Sequence, residues 1–345
     1  MLGLMSEDDA LRKLPKVELH RHLDGSVRIS TIWDIARAHG MDLGVRSLEE
    51  LRSTAVLRTP RGSLQSVLNC FALQQSALCS FETISRVTAE NIEDAWRDGV
   101  RLLELRFAPA FIGKGKRLTN DEIIGAVLDG MLKGMSHWPV EVGLIGILPR
   151  SYPFEVNAAA TKDLIRWRGS GAPGASRICG FDLADLEEGF DPRELAPLVD
   201  EAREAGLGIT IHTGENTDAG HVARSLEIYR PSRIGHGIRS VEDPDLLSRL
   251  ADQDILLEIS PTSNWITNAV PALSAHPLPA LMRAGVPVCV NSDDPNLFGI
   301  DLVNEYRVCM EDLGLGEREL REMNRAALRH SFLPGAVTRA LRDEL

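Results

Sequence analysis

Several features that would declare a protein's address or partner are missing from this chain. Its five cysteines, Cys70, Cys79, Cys179, Cys289 and Cys309, are odd in number and scattered, and no CxxC pair occurs. Neither a zinc ribbon nor a disulfide framework is indicated, and the thiols read as small apolar side chains of a reducing compartment. No apolar run reaches the ~20 residues a membrane span needs, so no membrane partner is expected. The stretch MLGLMSEDDALRKL is acidic and lacks a basic segment followed by a long apolar one, which argues against a signal peptide and for the cytoplasm. There is no basic block either: the formal charge is −12, which disfavours a nucleic acid polymer and leaves a small molecule as the easier partner. Tandem repeats, low-complexity segments and an early GxGxxG are also absent.

What remains is an ordinary globular composition, 43% hydrophobic and 26% charged, in 345 residues, enough to bury a large core. Short apolar runs recur at intervals: KVELH (16–20), RLLELRF (101–107), EVGLIGIL (141–148), RICGFDL (177–183), LGITIH (207–212), RIGH (233–236), ILLEI (255–259) and VPVCVN (286–291). Between them lie segments such as DPRELAPLVDEAREAG whose apolar positions repeat at helical spacing. Eight strands alternating with helices predict an α/β protein, a (β/α)8 TIM barrel, with a doubly wound open sheet as runner-up. The chain is expected to form one domain over residues 1–345. Residues 26–100 exceed what one barrel helix needs, and this helical insertion is expected to act as a lid or substrate wall. Two stretches after residue 300, LVNEYRVCMEDLG and ERELREMNRAALRHSFL, read as helices closing the barrel.

A barrel puts its chemistry at the C-terminal ends of its strands. The first predicted strand runs into His20 and His22, the fifth into His212, the sixth into His236 and the eighth into Asp293 and Asp294. Alternation along a strand turns His20 and His22 the same way. With His212 and Asp293 they form a nitrogen and carboxylate set suited to one borderline divalent ion, which would make its water acidic enough to ionise near neutrality. Glu215, three residues beyond His212 in HTGEN, is placed to donate a proton if shielded from water; its bland alternative is to cap a helix started by Thr213. His236, between Gly235 and Gly237, is suited either to orient the water or to accept its proton. Asp294 would point away from the metal and meet a polar substrate atom. His39, His137, His221, His276 and His330 are expected to have no catalytic duty. The fourth strand end, GFDLADLEEG, offers Asp182 and Asp185 but no lysine to bridge two metals, so one metal is expected.

The ordered set VELHRHLDGS, HTGE, SRIGHG, SPTSN and NSDDP resembles the adenosine deaminase family of the amidohydrolase superfamily, over residues 14–335. The resemblance implies a single zinc ion held by His20, His22, His212 and Asp293. It also implies hydrolysis of the 6-amino group of an adenine ring to a 6-oxo group, with release of ammonia. By motif, Glu215 corresponds to the acid that protonates ring N1, His236 to the histidine that holds and helps activate the hydroxide, and Asp294 to the acid contacting N7. Asp24 in HLDG resembles the ribose-contacting aspartate of nucleoside deaminases; relatives acting on free adenine tend to have glutamate there. The chain departs from the family at Asp185, where a glycine backbone usually approaches purine N3, and a Cβ there is expected to narrow the backbone's options and alter the pocket wall. Ser260, where many members have cysteine, is a milder change. The expected substrate is an adenine nucleoside such as adenosine. The alternatives are 6-amino-6-deoxyfutalosine, whose benzoate-bearing 5′ extension could meet Arg58 and Arg61 in the insertion, and less favoured, free adenine.

Overall fold

A computed structural model describes residues 7–344. The first six residues of the acidic N-terminal stretch lie outside it. The eight strands are β1 Lys16–His22, β2 Val100–Phe107, β3 Glu141–Pro149, β4 Ile178–Ala184, β5 Gly208–Thr213, β6 Arg233–His236, β7 Leu256–Ile259 and β8 Val288–Val290. They lie side by side in chain order, every neighbouring pair parallel. This is the (β/α)8 barrel, and the open-sheet alternative is set aside by its closure. A bridge between Arg21 and Asp293 joins β1 to the segment after β8.

That last seam is closed partly by side chains, because β8 has only three residues. Asn291 Oδ1 accepts the Leu19 N–H at 2.9 Å, and Glu18 Oε1 accepts the Ser292 N–H at 2.9 Å. The backbone then finishes the seam: the Asp293 N–H reaches His20 O at 3.1 Å and the His22 N–H reaches Asp293 O at 2.9 Å. Two ends of the chain's chemistry are thereby pinned together.

Strands in such a barrel are covered on both faces, so polar residues in them are buried as deeply as apolar ones. Lys16, Glu18, His20 and Arg21 of β1 are all buried beside Val17 and Leu19. Each charge has a partner: Arg21 Nε lies 2.9 Å from Glu18 Oε2, and Lys16 Nζ donates to the carbonyls of Leu14 at 2.8 Å and Asp98 at 2.7 Å.

The two terminal helices form at Leu302–Glu311 and Glu317–His330. In the second, Leu320, Met323, Ala326, Ala327 and Leu328 make the buried stripe, which packs against β8 and β1. The chain then turns into the N-terminal mouth of the barrel and stoppers it with Phe332. Gly208 makes this possible, since a Cβ there would sit 2.2 Å from the Phe332 ring. The Arg233 guanidinium covers that ring at 3.6 Å and binds Glu104 at 2.7 Å.

Between β1 and β2 the insertion folds as helices Ile29–His39, Leu48–Ala55, Leu64–Leu68 and Phe71–Ala77, followed by Phe81–Arg97. Ser47, Ser63 and Ser80 each accept a first-turn backbone N–H, so three of these helices begin at a serine cap. Among the described residues no helix is long and apolar enough to cross a membrane.

Candidate active site

His20 and His22 share a face of β1, as alternation requires, and their Nε2 atoms are 3.1 Å apart. His22 Nε2 is 3.2 Å from His212 Nε2 at the end of β5. Asp293 Oδ1 lies 3.3 Å from His20 Nε2 and 3.2 Å from His22 Nε2. A regular tetrahedron with such edges has its corners about 2.0 Å from its centre, the length of a zinc–nitrogen bond. A wider grouping that counts His236 with His20, His212 and Asp293 has donor atoms up to 4.8 Å apart. The spacings through His22 are shorter, so His20, His22, His212 and Asp293 form the tighter set, with His236 beside it.

The outer nitrogens show why this set asks for a cation. His20 Nδ1 is 2.9 Å from Glu258 Oε2, both buried, and His212 Nδ1, on a partly buried ring, is 2.9 Å from the buried Asp182 Oδ2. Carboxylates accept, so those nitrogens carry the protons and the Nε2 lone pairs face one another. Burial pushes His20 and His212 below the usual imidazole range. His22 goes the other way, up to about 9: burial opposes its charge, but the hydrogen bond to Asp293 and the fields of Asp294, Asp293 and Asp24 outweigh it. Lone pairs and a carboxylate converging on one point repel unless a positive charge sits among them.

Arg106 of β2 ties the two supporting acids together, 2.6 Å from Asp182 and also bound to Glu258. Burial works against its charge, yet His212 and Arg106 hold Asp182 well below the usual carboxylate range. Asp293 and His236 both have φ near 61°, left-handed for residues with a Cβ. Such backbone costs on the order of 1–3 kcal/mol and persists where surrounding bonds impose it. At Asp293 the two seam hydrogen bonds do so.

Glu215 stands in a turn, not a helix. The following helix is Ala219–Tyr229, capped by Asp218, which removes the helix-capping alternative. Its backbone is held by Glu187, whose carboxylate accepts the N–H groups of Gly214 at 2.7 Å and Glu215 at 3.1 Å. Its Oε1 accepts from Asn264 at 3.1 Å and Thr267 at 2.7 Å, while Oε2 lies 3.8 Å from His236 Nε2. Asp24 and Asp294 are buried, and each has an Oδ1 with no protein partner. Gly25 makes room for Asp294: a Cβ there would overlap its carboxylate. Burial raises the Asp24 carboxyl, and burial together with Asp293 raises that of Asp294 well above the ordinary value. Asp24, Glu215, His236 and Asp294, with His22, His212 and Asp293 of the donor set, line a cavity of about 300 Å³.

Residues 15–345 match the sequence model of a family described as adenosine deaminase. The chain belongs to the adenosine deaminase family. It is 33% identical over 328 residues to an adenosine deaminase of Shewanella loihica, covering 95% of this chain and 97% of that one. Among solved structures it resembles an adenine deaminase from Arthrobacter aurescens, with TM-score 0.86, 29% identity, and 96% and 97% of the two chains covered. It also resembles the N6-methyl-AMP deaminase of Arabidopsis thaliana, with TM-score 0.82, 27% identity, and 98% and 97% covered. Adenosine deaminase family members are zinc-dependent hydrolases acting on C–N bonds in cyclic amidines, and this chain is an enzyme of that class.

Against the family pattern, Asp185 behaves differently from the expectation. Its φ is 79°, so the backbone keeps the conformation a glycine would take. One carboxylate oxygen accepts the Leu186 N–H at 2.8 Å and the other binds the Ser151 hydroxyl. The pocket wall is altered by the side chain, without a change of backbone region. Arg58 and Arg61 do not line the cavity; the lysine that does is Lys114, in a lining that also includes Leu68, Phe71 and Phe111. From the insertion, Leu64, Gln65, Val67, Leu68, Asn69 and Phe71 line the cavity. Sequence reasoning did not single out Arg106, Glu187, Glu258 or Asn264, which pack behind or beside these groups. For Arg106 and Glu258 a signal existed, since a charge inside an apolar strand needs a buried partner.

Proposed function

We propose that the chain hydrolyses the 6-amino group of an adenine nucleoside to a 6-oxo group, water supplying the oxygen and ammonia leaving, as in adenosine to inosine. The observation that carries this reading is the tetrad of donors spaced for one zinc ion in the floor of a cavity where Glu215, Asp24 and Asp294 converge. His20, His22, His212 and Asp293 would hold the ion, which when bound supplies water acidic enough to ionise near neutrality. Glu215 donates a proton to ring N1 and so draws electrons from C6. His236 faces the space between Glu215 and Asp293, where the attacking water must stand. Asp294 meets N7 and Asp24 a ribose hydroxyl, each with an oxygen that lacks a protein partner. Asp185 and the insertion shape the N3 and 5′ sides. The whole chain works as one domain, and its five free thiols suit a cytoplasmic setting.

A second reading rests on the cavity mouth. Leu68, Phe71 and Phe111 with Lys114 offer apolar walls and one cation, which suits a 5′ extension ending in a carboxylate, as in 6-amino-6-deoxyfutalosine. Asp24 weighs against free adenine. The test is kcat/KM of zinc-loaded protein on adenosine, 6-amino-6-deoxyfutalosine and adenine side by side. A preference for adenosine is the expected result, and a preference for the extended nucleoside moves the proposal to the second reading. Failure to release ammonia from all three overturns both.

A further inference from the structure

One question the sequence left open is whether His236 orients the attacking water or takes its proton. Four buried groups behind it answer through hydrogen-bond polarity. The Leu278 N–H points at His276 Nδ1 from 3.1 Å, so that nitrogen presents a lone pair. Burial, with His236 nearby, pushes His276 down to about 3, so its ring is neutral with its one proton on Nε2. This Nε2 lies 3.1 Å from Asn264 Oδ1 and donates to it. The Asn264 amide is thereby oriented, and its Nδ2 faces the other way, 3.1 Å from Glu215 Oε1 and 3.1 Å from His236 Nδ1. An amide nitrogen has two hydrogens and accepts nothing, so both contacts are donations. Reversing the amide would set Oδ1 against a carboxylate oxygen and Nδ2 against the His276 N–H.

We infer that Asn264 and His276 are positioning residues that keep the His236 proton on Nε2, so that His236 meets the reacting centre as a hydrogen-bond donor and not as a base. The far side of the ring agrees. His236 Nε2 is 3.8 Å from Glu215 Oε2 and 3.9 Å from Asp293 Oδ2, where an N–H is attracted and a lone pair is repelled. Asn264 is itself rigid, fully buried, with its carbonyl accepting from Ala269 at 2.8 Å and Val270 at 3.1 Å. The inference rests on the deaminase reading for its catalytic meaning, but the proton's position does not.

The test uses zinc-loaded protein labelled with 15N-histidine, in which long-range proton–nitrogen spectra report which ring nitrogen of His236 is protonated. The native protein is expected to carry the proton on Nε2. In His276→Leu the two forms should mix, with kcat lowered on the order of 10- to 100-fold and KM little changed. In His276→Gln, whose amide N–H reaches the place of the imidazole Nε2, the native spectrum and most of kcat should return. A native His236 protonated at Nδ1 overturns the inference, as does a His276→Leu variant with spectrum and kcat unaltered. If His276→Leu does not fold, the native and His276→Gln spectra still decide. Absence of turnover on every adenine-type substrate would remove the deaminase reading while leaving the spectral result standing on its own.

Discussion

Glu258 meets His20 at 2.9 Å in the barrel interior and holds Arg233 Nε at 2.7 Å through its other oxygen. One acid therefore orients a proposed zinc ligand and neutralises buried guanidinium charge, including that of Arg106. Glu258→Gln can still accept from His20 but loses the charge. Zinc affinity is expected to fall on the order of 10- to 100-fold, measured by competition with a chelator. The metal-free protein should also melt earlier, since breaking a buried ion pair costs about 3–5 kcal/mol. Lowered melting with unchanged zinc affinity would assign Glu258 to the arginines alone.

Glu215→Gln separates binding from proton transfer. The amide oxygen can still accept from Asn264 and Thr267, so the turn should keep its shape. What is lost is the transferable proton. Zinc content per chain is expected to stay at the native value while ammonia release drops on the order of 10²- to 10⁴-fold. Native turnover in this variant would take Glu215 out of the mechanism.

The strands and the front of the site were legible because the first, fifth, sixth and eighth apolar runs lead straight into histidine or aspartate, and a barrel gathers strand ends. His20, His22, His212 and Asp293 could be grouped without knowing any distance. The support behind them could not. Glu258 and His20 are far apart in the chain and meet only when the closing barrel brings β7 and β1 to the two sides of β8. In RLLELRF and ILLEI both strand faces are buried, so periodicity does not say which way Arg106 or Glu258 points. His276 looked idle because its role passes through Asn264, whose amide orientation is set by contacts and not by residue type.

Asp185→Gly tests the altered wall. The backbone already lies at φ 79°, so glycine fits without rearrangement and relieves strain, offsetting the loss of the bonds to Ser151 and Leu186. Melting temperature should change little. The ratio of kcat/KM between adenosine and its 5′-extended analogue is expected to shift, on the order of tenfold, as contact changes in a pocket allow. An unchanged ratio would free Asp185 from any part in selectivity.

Glu305, fully buried on the helix Leu302–Glu311, accepts the Thr262 N–H at 2.9 Å. Thr262 is the second residue of the short helix Pro261–Ile266 that carries Asn264, so this acid satisfies one of the free donors in that helix's first turn. Burial pushes its carboxyl from 4.5 up to about 7, against the hydrogen bonds from Thr262 and Asn304. The folded state thus binds a proton more tightly than the unfolded one. Its contribution to stability is full below pH 4.5 and is lost as pH rises through 7. Glu305→Gln keeps the acceptor and removes the titration. In thermal melts of metal-free protein, the variant should therefore gain on the native chain between these two pH values and hold the gain above them. Melting curves that stay parallel from acid to neutral pH would mean that Glu305 titrates alike in both states, and its link to the helix of Asn264 would then be one of geometry alone.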